Sequence, residues 1–453
     1  MNIHKIWIIG YFILFSALFI FLTPVYEAPD EFHHLDYVNY VAQNLSLPNQ
    51  LISEKTVSGE GHQFPLYYIL AALIVRIADH DHMIKINPEP NKKHVWNGGQ
   101  FHFVPRFKNL SKNIFHDRND LFSFYLLRIL SLVFGVINLL YIFKLSKLFF
   151  PDSKWQWFPP FFVASLPQFI FNSSYISNDG LSNLLATISL YYLFKIQKSK
   201  TDTLDFVLMG VFLGLGVLTK KSLLFLLPVS AVMLTYTGLR LRRTKSYKTE
   251  KFVKNVFLAT VIFAILTGWL FIKNYKMYGD ILGNQMEKIS MASFGIVEEK
   301  PLFSSYFLRD FPPRFYDSFL ATFGWMNLYL PKSVYIFYSL ILVSSILGII
   351  IFLKEEHFKN CEVYFSAIAI LFCLGGIVYY NLTYSQPQGR LLFPVLGLIS
   401  ILIVLGITTI LSKINIPPFR YAAMVIMIFL FMLIDVVSVR SIYNFYYNLA
   451  QYS

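Results

Sequence analysis

Glu27-Ala28-Pro29-Asp30-Glu31-Phe32-His33-His34 follows at once on an apolar run from Ile6 to Val25. A run of about 20 such residues is long enough to cross a bilayer as one helix. The octet then places two adjacent carboxylates at the mouth of that helix. Acids at a membrane boundary are costly unless they face water, a metal or a substrate. Span and acids together predict an enzyme that works at the membrane surface. The run exceeds a signal-peptide core and no small-residue cleavage site follows, so it reads as a retained span.

The rest of the chain supports a membrane protein. Its 453 residues are 55% hydrophobic and 14% charged, more apolar surface than a soluble domain of this size could bury. The 46 Phe and 29 Tyr suit lipid-facing and interfacial positions. Further apolar runs fall at 121–149, 157–172, 180–196, 205–219, 222–239, 255–272, 335–353, 362–380, 391–411 and 419–438. The expectation is an all-α polytopic membrane protein with about 11 transmembrane helices. Cys361 and Cys373 lie on one such helix, roughly 18 Å apart at its rise per residue, too far for a disulfide.

The net charge of +13 does not point to nucleic acid, because the basic residues form no single patch. They cluster in alternate loops: Lys144, Lys147 and Lys154; Lys195, Lys198 and Lys200; and seven between Arg240 and Lys254. The positive-inside rule puts these loops in the cytoplasm of a plasma or inner membrane, against anionic lipid headgroups. The N-terminus is then cytoplasmic, and an odd number of spans leaves the C-terminus outside. The whole chain, 1–453, reads as one membrane domain. It has a first extracytoplasmic loop at 26–120 and a second large one at 273–334. Phe32, Leu35, Val38, Ala42 and Leu45 recur with helical period, which predicts an amphipathic helix lying on the membrane. Phe64 to Ile77 predicts a second, interfacial or re-entrant helix, and 83–119 a polar loop.

This topology collects the unusual polar residues on the outer face. Asp30 and Glu31 read either as favourable charges at a helix N-terminus or as a general base or metal ligand. His33 and His34 lie three and four positions after Asp30, so an Asp–His pair could bind a divalent metal, Mg or Mn, or relay a proton. Asp79-His80-Asp81-His82 reads as a solvated loop rather than a metal cluster. Asn178-Asp179 reads as a helix cap whose outer position keeps a substrate role open. Lys220-Lys221 stands on the outer side against the trend of positive charge, which suggests an anion site for a lipid phosphate. Gln388-Gly389-Arg390 opens the tenth span. Gly389 permits close backbone approach, and the Arg390 fork matches phosphate oxygens. Lys273 and Asp280 read as structural.

These motifs resemble the GT-C superfamily of integral-membrane glycosyltransferases. That group includes protein O-mannosyltransferases, the aminoarabinose transferase acting on lipid A, and oligosaccharyltransferases. Pro29-Asp30-Glu31 matches the acidic motif in the first outer loop. Pro65-Leu66-Tyr67-Tyr68, Asn178-Asp179 and Leu218-Thr219-Lys220 match in order. The pairing of residues 28–34 with Gln388-Gly389-Arg390-Leu391-Leu392-Phe393-Pro394 is most similar to a bacterial branch of predicted membrane proteins. The second outer segment matches less well, and no large soluble C-terminal domain follows, which argues against the oligosaccharyltransferase type.

The resemblance implies an inverting sugar transfer from a polyprenyl-phosphate-linked donor to a glycan, lipid or protein acceptor at the outer leaflet. It implies Asp30 first and Glu31 second as the base. His34, Lys220, Lys221, Arg390, Gln388 and Asp179 would bind substrate, the cations stabilising the leaving phosphate. A transporter or flippase for a lipid-linked glycan is the alternative. No inverted repeat of the kind common in such folds is visible.

Overall fold

The computed structural model describes residues 3–79, 81–87, 114–151, 154–199, 202–243, 248–292, 297–357, 360–414 and 416–447. His80, Lys200, Lys245 and most of the polar 83–119 loop lie outside the described residues. The chain is a polytopic all-α membrane protein. A bilayer core offers no partners to backbone N–H and C=O groups, so apolar runs close their hydrogen bonds internally as helices.

The first apolar run forms α1 (Ile3–Leu22). Two short helices, α2 (Glu31–Asn44) and α3 (Leu66–Ala78), precede α4 (Arg118–Phe149). Then come α5 (Phe158–Ala164), α6 (Pro167–Asn172), α7 (Asp179–Ser199), α8 (Thr203–Thr219), α9 (Leu226–Arg243) and α10 (Lys248–Tyr278). The segment after α10 holds α11 (Asn284–Ala292), α12 (Phe311–Leu320) and a two-stranded hairpin, β1 (Thr322–Phe323) with β2 (Leu328–Tyr329). Four long helices follow: α13 (Lys332–Glu355), α14 (Cys361–Asn381), α15 (Leu396–Lys413) and α16 (Pro417–Tyr447).

Among the described residues, eight helices are long and apolar enough to cross a membrane. Each of the eleven apolar runs is helical, but three do not meet that measure. The run at 157–172 is broken into α5 and α6, with Pro167 starting the second piece. Helix α8 has only 17 residues. Helix α7 is long enough but carries Ser182, Asn183, Thr187 and Ser189. The reason is position. Every residue from Phe158 to Leu190 is buried. These segments face other helices rather than lipid, so polar side chains are tolerated where they bond back to their own helix. Ser182 Oγ donates to the Asp179 carbonyl at 3.0 Å and Ser189 Oγ to the Leu185 carbonyl at 2.8 Å. Around this centre stand α10, α13 and α16, whose apolar windows are only 22%, 22% and 28% buried.

Helices α13 and α15 touch backbone to backbone. A Cβ at Gly348 would collide with the Gly406 carbonyl, and one at Gly406 with the Ser345 carbonyl. Small residues allow this close packing, which replaces the hydrophobic drive that lipid removes.

Helix α2 turns apolar residues to two sides. Leu35, Val38 and Ala42 are buried as their spacing predicts, but Phe32 and Leu45 are exposed. The buried face of α2 packs on α3 rather than resting on lipid alone. Asn39 fixes its middle to a later loop through two 3.0 Å bonds with the Ile84 backbone. Helix α3 has 13 residues, too short to cross a bilayer. The segment 172–179 is wholly buried.

Candidate functional site

Asp30 has φ 62° and ψ 4°, a left-handed conformation that Asp tolerates better than most residues. Its carbonyl accepts the first bond of α2, from the His34 N–H at 2.9 Å. Its side chain does not cap that helix. The left-handed turn instead sends the carboxylate to Arg390, whose Nη2 donates to Oδ2 at 2.7 Å.

Arg390 is held from several sides. Its Nε donates to Gln388 Oε1 at 2.7 Å and its Nη1 to the Tyr175 hydroxyl. The same Nη1 lies 3.5 Å from Asp179 Oδ2. Gly389 makes the placement possible. A Cβ there would strike the backbone of Phe315 and Phe319 in α12, and its N–H donates to Ser318 Oγ at 2.8 Å. Lys220, at the end of α8, donates to Asp179 Oδ1. Asp30, Arg390, Asp179 and Lys220 thus alternate in charge across four segments distant in sequence.

These groups line one cavity of about 870 Å³. His34 faces it too, with Nδ1 2.8 Å from the Tyr68 hydroxyl. Burial lowers the pKa of His34 to about 3, so the ring is neutral. Burial is the largest influence on the Asp30 carboxylate and works against its charge, but the Arg390 charge and hydrogen bond together with the neighbouring imidazoles outweigh it and hold the pKa below the ordinary value. Lys221 turns to the other side of the cavity, where it pairs with Glu287 and donates to Asn284 Oδ1 at 3.0 Å. His62 approaches the same Glu287 at 3.7 Å. A third wall is apolar and belongs to α14. Leu371, Phe372, Gly375 and Gly376 line it, and a Cβ at either glycine would meet nothing within 4 Å.

Glu31 does not line this cavity. Its carboxylate takes both Nε and Nη2 of Arg128, at 2.8 and 2.7 Å. It also accepts the backbone N–H of Tyr26 at 3.0 Å and of Ile176 at 3.1 Å. Both charged side chains are fully buried. Glu31, expected as the second candidate base, ties the start of α2 to α4.

The expected metal set does not converge. His33 Nδ1 faces Ser58 Oγ at 3.0 Å, His34 faces Tyr68, and Asp30 is bound to Arg390. Each carboxylate of the Arg390 cluster already has a cation, so these residues do not fit a divalent ion. Among the described residues, the group compact enough for one is His116, Asp117 and Asp120. There Asp117 caps α4, accepting from Asn119 N at 2.7 Å and Asp120 N at 2.9 Å. The Asp79 region is a local turn, with Asp79 Oδ1 accepting from Asp81 N at 2.9 Å. Asp280 likewise caps its own turn, accepting from Leu282 N at 2.9 Å.

Sequence reasoning missed Tyr175, Arg128, Glu287 and Glu60. Glu60 lines the cavity from a short 3-10 turn, Glu60–His62. A signal for it existed: an acid between two glycines, Gly59-Glu60-Gly61, just ahead of Pro65-Leu66-Tyr67-Tyr68.

Several solved structures are similar to this chain. ArnT from Cupriavidus metallidurans bound to undecaprenyl phosphate aligns with a TM-score of 0.50 at 9% identity, covering 93% of this chain and 62% of that one. The Archaeoglobus fulgidus oligosaccharyltransferase tethered to an acceptor peptide gives 0.49 at 10% identity, over 96% of this chain and 55% of that one. The protein O-mannosyltransferase Pmt1–Pmt2 complex of S. cerevisiae gives 0.40 at 11% identity, over 62% and 34%. The chain thus spans less than two thirds of the length of these proteins. The chain shares the fold of ArnT. No curated protein matches the chain. Residues 112–399 match the family described as predicted membrane protein (DUF2142), and the chain belongs to that family.

Proposed function

We propose that the protein transfers a sugar from a polyprenyl-phosphate-linked donor to a hydroxyl of a glycan, lipid or protein acceptor. One observation carries the reading: a single cavity joins two largely buried cations, Arg390 and Lys220, to an apolar wall on α14. A lipid phosphate needs both features together. The phosphate takes the remaining guanidinium N–H groups and the Lys220 ammonium, displacing Asp179, which pairs with both at rest, while Asp30 keeps its hold on Arg390. The prenyl chain lies along Leu371, Phe372 and the open strip at Gly375 and Gly376. The acceptor oxygen attacks the anomeric carbon, the phosphate leaves with the bonding electrons, and the cations stabilise it. A carboxylate of the cavity takes the acceptor proton. ArnT, which shares the fold, is solved with undecaprenyl phosphate bound, a ligand of this chemical class.

The site faces the outer leaflet in this reading, with the N-terminus cytoplasmic. Single cysteines at Asp30, Lys220, Asp280 and Arg390, on a background lacking Cys361 and Cys373, then react with an impermeant thiol reagent. One at Arg243 does not. The reaction itself is tested by incubating purified protein in lipid with undecaprenyl-phosphate-linked hexoses and pentoses and envelope lipid extract. Released undecaprenyl phosphate, read by mass spectrometry, supports transfer. Donor that crosses the bilayer unchanged identifies a flippase instead.

A further inference from the structure

Four carboxylates line the cavity: Asp30, Glu60, Asp179 and Glu287. Three of them are ion-paired. Asp30 holds Arg390, Asp179 holds Lys220 and Arg390, and Glu287 holds Lys221. Among the described residues Glu60 forms no ion pair, and its Oε2 is buried with no hydrogen-bond partner. A paired carboxylate is a poor proton acceptor, because the cation stabilises the very form that would have to gain the proton. An unpaired carboxylate buried in a cavity costs stability and has no structural return.

The turn that carries Glu60 is built firmly. Ser58 N–H donates to Asp36 Oδ2 at 2.7 Å, and Ser58 Oγ meets His33. Gly59, at φ +61°, packs directly on the His33 ring, where a side chain would collide. The Gln63 N–H closes the turn on the Glu60 carbonyl at 2.9 Å, and His62 Nδ1 lies 3.1 Å from the Gly59 carbonyl. The main chain around Glu60 is thus fixed. Its carboxylate is committed to no cation, with the neutral Gln63 side chain as its hydrogen-bonding neighbour.

We infer that Glu60 is the catalytic base, and that Asp30 acts as a positioning residue through its grip on Arg390. The inference rests on the transferase reading above. In the step, the acceptor O–H bond breaks and its proton passes to Glu60. The freed oxygen pair forms the bond to the anomeric carbon. The bond from that carbon to the phosphate oxygen breaks, its electrons leaving on the phosphate. Glu60 later returns the proton to water. The charged and titratable groups facing Glu60 are Asp30 just before α2, His33 of α2, Lys220 after α8, Tyr68 of α3 and Tyr380 of α14. Burial first and the Asp30 charge second raise its pKa to about 7, against the pull of Lys220 and His33. A base matched to neutral pH is the efficient one.

The test is a pH–rate profile for sugar release from undecaprenyl-phosphate-linked donors, with binding of undecaprenyl phosphate measured separately. The unmodified protein loses activity as pH falls below about 7, because Glu60 must be ionised to accept a proton. Glu60→Gln lowers transfer roughly 10²–10⁴-fold, keeps undecaprenyl phosphate binding and has no acidic limb. Glu60→Asp keeps a limb and part of the rate. Asp30→Asn removes the negative neighbour, so the limb moves to lower pH but persists. A Glu60→Gln enzyme within a few-fold of normal with its limb intact overturns the inference and leaves the transferase standing. So does loss of the limb in Asp30→Asn alone, which makes Asp30 the base. If Glu60→Gln fails to fold, a flat profile from pH 5.5 to 8.5 in the unmodified protein overturns it equally. An unmodified protein that releases no sugar removes the reaction and this assignment with it.

Discussion

Arg128 and Arg390 each grip one member of the Asp30-Glu31 pair, and they make opposite kinds of site. Arg128 has five N–H groups and five bonds: two to Glu31 and the rest to the carbonyls of Ile20, Thr23 and Pro24, at 2.7, 2.8 and 3.1 Å. Nothing there is accessible and nothing is left over. Arg390 makes hydrogen bonds to Gln388, Tyr175 and Asp30, and its partner Asp30 is 28% exposed to the cavity. The first site is closed and holds helices together. The second keeps donor capacity for something that arrives. Adjacent residues in the chain are separated by function because α2 begins between them, with Asp30 in a left-handed turn and Glu31 on the first helical turn.

The sharpest way to break this contrast is Glu31→Gln. It leaves the Arg128 charge buried without a counter-charge, and truncating one side of such a pair costs roughly 3–5 kcal/mol. Denaturation in detergent measures the loss. A variant as stable as the unmodified protein would put Glu31 back among the candidate catalytic groups. The next effect falls on the open site. Arg390→Lys keeps the charge and loses the fork, and hydrogen bonds to charged groups are worth about 1.5–3 kcal/mol. Affinity for undecaprenyl phosphate falls by the corresponding one to two decades while folding is little changed. Lysine binding as tightly as arginine would reduce Arg390 to an interfacial anchor.

A smaller effect separates the two regions by pH. His34 beside the open site has a folded pKa of about 3 against 6.5 in the unfolded chain, because it is buried. Between those values the unfolded state binds more protons, so this term lowers stability as pH falls below about 6.5. Glu60, raised to about 7, acts the other way down to about 4.5 and offsets it. His34→Gln removes only the first term. The variant then gains on the unmodified protein by up to ~1.4 kcal/mol per pH unit of acidification. Parallel stability curves would mean that His34 is solvated. The smallest effect tests the His116, Asp117 and Asp120 group. Asp117→Ala costs about 1 kcal/mol, as loss of a helix cap does. A chelator leaves the unfolding temperature of the unmodified protein where it was. A drop on chelation would make the cap a metal centre.

The fold was largely legible because lipid imposes one solution on apolar runs, and all eleven runs are helical. The number of spans was less so. Hydropathy cannot tell a helix bathed in lipid from one surrounded by protein, and α5, α6 and α7 are surrounded by protein. Of the site, Asp30, Asp179, Lys220 and Arg390 were found from polar residues stranded on one face, and the structure joins all four. Lys221 and His34 line the same cavity with other partners. Glu31 could not be told from Asp30, since only the third dimension brings Arg128 to it from 97 positions away. Glu60 sits in a turn without periodicity, where sequence offers little more than its flanking glycines.

The resting neutrality of the Arg390 cluster has a consequence for selectivity. Its cations are not vacant attractors for whatever anion drifts past. A small ion such as inorganic phosphate must dislodge Asp179, and it has charge alone with which to compete. In the proposed reaction a prenyl phosphate brings the same charge and also a tail that leaves water along α14. Asp179 thereby acts as a threshold that the headgroup by itself does not clear. The cavity can stay open to a saline medium without filling with salt.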